Sequence, residues 1–253
     1  MTPALETPVF VVFLIFCRIG GCVLFAPGLS STRIPVQIRV LVALAITLAI
    51  SPLLFTAIAE AVAAAGPASQ PVLIIEEIVV GSIIGLMGRF YLLALQFAAT
   101  AVSSMIGLAG IPGIPMEEFD AGSPLATLAS TAAVMLILIL NLHLEMLRAI
   151  LDSYEVIAVN AFPQPAAVLG NVMDVVAETS VLALRLAAPF IAYGVVVNIA
   201  LGMANRFTPH ISIYHATTGA VMLGGFLLLY LLWEDWLTLF LESYRSWLLK
   251  GGF

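Results

Sequence analysis

The sequence predicts an all-α, membrane-associated protein of about six apolar helices arranged as long hairpins, and three observations predict it. Hydrophobic residues make up 62% of the 253 residues and charged residues only 9%, and the mean hydropathy is +1.14, outside the range of soluble globular domains. Apolar runs separated by Pro, Gly and short polar breaks recur along the whole chain, and none reads as a strand. Four of these runs are on the order of 50 Å long at about 1.5 Å per residue, whereas a bilayer core is about 30 Å thick.

The first helix runs from Pro3 to Phe25 and closes at Ala26-Pro27-Gly28, after which Ser30 to Pro35 forms a short polar turn. No Lys or Arg precedes Arg18 and no small-residue cleavage pattern follows, so Val9 to Phe25 is expected to be a retained helix. The second helix spans Pro35 to about Glu60, and Ala61 to Pro71 is an uncharged small-residue loop. A third helix, from Val72 to about Ser104, carries Glu76, Glu77 and Arg89 with Gly81, Gly85 and Gly88. The fourth, Leu125 to about Ile157, begins apolar and ends with Glu145, Arg148, Asp152 and Glu155 at spacings of three and four, the pattern of a solvated, salt-bridged face. Ala158 to Gly170 is a break, the fifth helix runs from Asn171 to Asn205, Arg206 to Ser212 is a turn, and the sixth helix ends near Leu249. The chain therefore reads as a single domain: an N-terminal helix pair over 1–71, a first long hairpin over 72–157 and a second over 171–250.

The stretch 104–124, at the tip of the first hairpin, is unlike an ordinary surface loop. Gly107, Gly110, Gly113 and Gly122 with Pro112, Pro115 and Pro124 forbid a regular helix, yet the intervening residues are largely Ile, Leu and Met. Non-helical backbone at membrane depth must be covered by protein or line a cavity, because lipid cannot satisfy its N–H and C=O groups. A plug or re-entrant element meets that requirement, as does a plain interhelical turn dipping into the interface.

The net charge of -6 and singly scattered cations leave no basic face for nucleic acid. Arg33, Arg39, Arg206, Arg245 and Lys250 cannot all share one side of a six-span serpentine, which favours another topology. Cys17 and Cys22 lie on different faces of the first helix, so neither a disulfide nor a metal site is indicated. His143 and Glu145 diverge too far on a helix to chelate one ion, and His210 and His215 lack a third ligand. No nucleophile motif or phosphate loop is present, so no catalytic residues, cofactor or metal are expected. Arg18, Glu76, Glu77, Arg89 and Arg185 each sit in an apolar segment and need a partner or water. For Arg18 and Arg185 pairing across helices or subunits comes first, with ion or proton translocation and snorkelling as the alternatives, and the partners of Glu77 and Arg89 lie on other helices or other chains. Gly81 and Gly85 fit the close-packing motif of membrane helices.

The stretch from Leu184 to Tyr214, with Pro189, then Asn198-Ile-Ala-Leu-Gly202 and Asn205-Arg206-Phe-Thr-Pro209, closely resembles the FliR family of flagellar biosynthetic proteins of the type III export gate. Arg18, Ala26-Pro27, Ile34-Pro35 and Arg39 agree near the start. Glu77, Ile84-Gly85, Ile106-Gly107-Leu108, Asp120, Pro124, His143 and Asp152-Ser153-Tyr154 agree in the middle, so the likeness covers nearly the whole chain. It departs from the family at Gly107-Leu-Ala-Gly-Ile111, where a Gln is common, at His210, and at Thr217-Thr218.

The resemblance implies helical hairpins that assemble with FliP-like and FliQ-like subunits, next to FlhB-like and FlhA-like components, into a channel for unfolded flagellar substrates in the bacterial inner membrane, at the flagellar basal body. It places the pore plug on Ile106, Gly107, Leu108, Gly110, Ile111, Pro112, Gly113, Ile114, Pro115, Met116 and Phe119. Contacts between helices or subunits fall to Arg18, Pro35, Arg39, Glu77, Gly81, Gly85, Arg89, Arg185, Pro189, Asn198, Asn205, Arg206 and Pro209, with lipid covering the remainder. A virulence-type export gate is the nearest alternative. A secondary transporter is the rival of another class, but it would need internal repeats, and the two halves share only the hairpin pattern. An intramembrane enzyme is more distant, since the nucleophile and ligand sets are missing.

Overall fold

The computed structural model describes residues 3–31, 34–108, 123–160, 164–207 and 213–251. Its helices are α1 (Pro3–Phe25), α2 (Val36–Ala65), α3 (Gln70–Met105), α4 (Pro124–Ile139), α5 (Leu142–Val156), α6 (Pro165–Phe207) and α7 (Ile213–Leu249), with a 3-10 turn at Pro67–Ser69. No strand occurs among the described residues. Among the described residues five helices are long and apolar enough to cross a membrane, or six if the bent α4–α5 pair counts as one span.

Three boundaries differ from the sequence expectation, each for a local reason. The run expected as one helix from Leu125 to Ile157 breaks between α4 and α5 with a bend of 72°. Asn141, a residue that tolerates left-handed backbone, sits at the break with φ 57 and starts α5. α2 continues past Glu60 through Ala61–Ala65, because alanine is the best helix former, and stops where Gly66 takes φ 74. α6 starts at Pro165 rather than Asn171, since proline suits the first turn of a helix and the Gln164 carbonyl accepts from Ala167 and Val168.

The chain forms two compact units. The first takes the described residues of Met1–Phe90, Ile137–Val176 and Arg245–Phe253. Its core is built from Leu14, Ile15, Ile19 and Cys22 of α1, Leu73, Val80, Ile84 and Met87 of α3, and Met146, Ala149 and Ile150 of α5. α2 packs on α1 and buries only the stripe Ala43, Thr47, Ile50, Ile58 and Val62. The rest of α2, including Leu41, Leu48 and Leu53, is exposed aliphatic surface of the kind that lipid rather than water covers.

The second unit takes Tyr91–Leu136 and Ala177–Tyr244. Alanines make its helices approach closely: Ala98 and Ala99 of α3 and Ala129 and Ala133 of α4 are fully buried. α6 and α7 run antiparallel, fixed by Tyr193 Oη donating to the Val221 carbonyl at 2.6 Å and Trp236 Nε1 donating to the Leu186 carbonyl at 3.1 Å. Tyr91 meets Tyr244 edge-on with ring centroids 5.8 Å apart.

Candidate functional site

The first unit is centred on a buried guanidinium. Arg18 and Glu77 are each 1% exposed. Arg18 Nε donates to Glu77 Oε2 at 2.6 Å and Nη2 to Oε1 at 2.8 Å, a two-pronged geometry that matches the planar fork to the carboxylate. The remaining donors reach α5: Nη1 to Ser153 Oγ at 3.0 Å and Nη2 to the Ile157 carbonyl, just past the helix end, at 3.1 Å. Tyr154 covers one face of the guanidinium, 3.8 Å from ring centroid to Cζ. One side chain thereby joins α1, α3 and α5.

Glycines allow α1 to come close enough for this. A Cβ at Gly81 would collide with the Arg18 carbonyl, and one at Gly85 with the Cys22 carbonyl. On α1, Gly21 likewise faces the Ile78 carbonyl and Ser82. These contacts advance together along both helices, so α1 and α3 run parallel with their backbones touching, as small residues spaced by four permit.

In the second unit the described part of the apolar loop leaves from a fixed seat. Past the end of α3, Ile106 N–H still donates to the Val102 carbonyl at 3.0 Å, and Gly107 turns the chain with φ 81. Ile106 is fully buried. Its Cβ lies 2.5 Å from where Gly225 of α7 would carry one, and Met105 Sδ lies 2.8 Å from the same point at Gly194 of α6. At the other end of the loop, Ser123 Oγ accepts from Ser103 Oγ at 2.8 Å and from Ala126 N–H at 3.1 Å, capping α4. The loop is therefore clasped across its base by Ser103 and Ser123. Beside its first turn, Ser104, Gly107, Gly194, Asn198 and Thr217 line a cavity of about 150 Å³.

Residues 9–246 match the family model described as bacterial export proteins, family 1. The chain belongs to this family. It is 27% identical over 243 residues to a flagellar biosynthetic protein FliR from Caulobacter vibrioides, covering 94% of each chain. A FliR from Escherichia coli K12 is 24% identical over 205 residues, 78% of this chain and 74% of that protein. A third, from Pectobacterium carotovorum, is 27% identical over 146 residues, 56% of this chain and 54% of that protein.

In this bacterial export protein the sequence-predicted residues fall into separate groups. Arg18, Glu77, Gly81 and Gly85 come together at the α1–α3 crossing, and Ile106, Gly107 and Leu108 form the stem of the loop. Pro35 stands immediately before α2, and the Arg39 guanidinium donates to the Ser31 carbonyl, bracing the turn between α1 and α2. Arg89 is half-buried, Pro189 lies within α6, and Arg185, Asn198, Asn205 and Arg206 are exposed on α6. Among the described residues neither Arg89 nor Arg185 has an ion pair. Gly110, Ile111, Pro112, Gly113, Ile114, Pro115, Met116, Phe119 and Pro209 lie outside the described residues.

On α5, Arg148 pairs with Glu145 at 2.7 Å on the solvated face, opposite the buried Met146, Ala149 and Ile150. Among the described residues no group of three His, Cys, Asp or Glu side chains could hold a metal. In the sequence Arg18 and Glu77 each need a partner, but no local pattern pairs them or gives the Ile157 carbonyl a role. Nothing in the spacing of residues 18, 77 and 157 could have joined them; only Ser153-Tyr154, within the family-like run, pointed to that end of α5.

Proposed function

We propose that this chain is a subunit of the flagellar type III export gate in the bacterial inner membrane, at the flagellar basal body. It assembles there with FliP-like and FliQ-like subunits, close to FlhB-like and FlhA-like components, into the channel for unfolded flagellar substrates. The 104–124 loop fills the closed pore so that ions do not leak, and it yields when a substrate arrives, a movement its glycines permit. The chain's part is architectural rather than catalytic. The likeness along 94% of the chain to a flagellar FliR supports the flagellar over the virulence-type reading.

The observation that carries the plug assignment is the clasped seat of the loop. Its first residues are held by Ile106 against Gly225, and its two ends are joined by the Ser103–Ser123 hydrogen bond. An apolar segment anchored in this way can be moved and can return to the same place. Ion leak through the assembled channel tests it: bulky or charged replacements at Gly110 or Gly113 should raise leak or block export. Wild-type leak together with wild-type export in those variants would sink the plug. For the assembly, the tagged chain co-expressed with FliP-like and FliQ-like proteins should yield a defined hetero-complex by native mass; a stable monomer or homodimer indifferent to them would refute it.

A further inference from the structure

α6 carries an outward stripe that its own chain leaves uncovered. Val181, Arg185, Ala188, Ala192, Val196, Ile199 and Met203 follow one another at spacings of four, three, four, four, three and four, which places them on one helical face. All seven are exposed. We infer that this stripe docks an apolar helix of another subunit that bears a carboxylate opposite Arg185. The inference rests on the export-gate reading above and names the chemistry of the contact.

Three observations favour a protein helix over lipid. α6 has 43 residues, about 64 Å at about 1.5 Å per residue, roughly twice the hydrocarbon thickness. Large exposed apolar side chains nevertheless run from Leu169 to Phe207, so lipid can cover only part of them. Arg185 is exposed amid those side chains with no ion pair among the described residues. On α7, Trp236 reaches the Leu186 carbonyl, yet the neighbouring Glu234 and Asp235 make no pair with Arg185. A charge so placed is satisfied by an opposite charge on whatever packs against the stripe. Finally, Pro189 has no N–H to give the Arg185 carbonyl four residues earlier, and Ala188 and Ala192 beside it let a second helix approach closely.

The test is photo-crosslinking in membranes where the full chain is co-expressed with the FliP-like and FliQ-like proteins of its genome. A photoreactive residue is placed at Ala192 or Val196, with Leu53 on the lipid-like face of α2 as control. The expected adducts map to an apolar helix of a co-expressed subunit with an Asp or Glu about two to three turns from the crosslink, level with Arg185. R185E should lower recovery of the hetero-complex at least about tenfold, R185K should retain most of it, and replacing the mapped carboxylate by Lys should restore assembly of R185E. Adducts to lipid alone or to this chain alone overturn the inference, and so does R185E assembling at the wild-type level. If the wild-type complex forms while the stripe labels only lipid, the docking surface fails and the export-gate reading stands. A wild-type chain that co-purifies with neither protein overturns both.

Discussion

Arg18 and Glu77, fifty-nine residues apart in sequence, meet through two parallel hydrogen bonds of 2.6 and 2.8 Å in a site from which water is excluded. Losing one partner leaves the other charge buried and alone. Glu77→Leu and Arg18→Leu should each cost about 3–5 kcal/mol. Joint replacement of both by Leu should cost far less than the sum, because no charge is then stranded. A double-mutant cycle on unfolding in detergent measures this, and additive losses would show that the pair is not coupled.

Gly81 and Gly170 lie in helices but in opposite surroundings. Gly81→Ala should push α1 away from α3 and lower the yield of folded protein, since the added methyl meets backbone that cannot move alone. Gly170 has nothing within 4 Å of its missing Cβ, so Gly170→Ala should stabilise by roughly 0.5–1 kcal/mol through helix propensity. Thermal unfolding of the two variants should move in opposite directions.

Gly225 is the floor of the seat under Ile106. Gly225→Val overpacks it, at a cost of about 1–3 kcal/mol. Hydrogen exchange at the Ile106 and Gly107 amides should accelerate by roughly ten- to hundredfold while the α5 amides are unchanged. Unaltered exchange at Ile106 would mean that Gly225 does not hold the stem.

Asn141 begins α5 at φ 57 without a side-chain cap hydrogen bond. Its task is therefore conformational. Asn141→Gly should be neutral within about 0.5 kcal/mol, whereas Asn141→Val, β-branched in a left-handed position, should cost about 1–3 kcal/mol. Equal stability of the two variants would remove the backbone explanation for the α4–α5 bend.

The helices themselves were legible because their signals are local. Pro3–Phe25 was read with its ends in place, and Gly and Pro marked the breaks near residues 28, 66 and 107. The break at Asn141 is not legible in the sequence because it interrupts an otherwise apolar helical run and depends on a single residue in the left-handed region. α6 starts earlier than the sequence suggests because Pro163, Pro165 and Gly170 have the look of a loop, although one proline fits a first helical turn and the glycine is tolerated where nothing packs on it.

The sequence by itself determined that this is an all-helical chain for an apolar environment, with an apolar Gly/Pro loop at its middle and ionisable groups that need partners. Composition and periodicity act residue by residue, and they survive without knowledge of what lies across the core. Which charge answers which was decided only by tertiary structure. The Arg18–Glu77 pair exists because Gly81 and Gly85 bring the backbones of α1 and α3 into contact and α5 delivers Ser153, Tyr154 and the Ile157 carbonyl to the same point. Such a junction of three helices, spread over 139 residues of chain, is fixed by packing in space, and no local pattern encodes it.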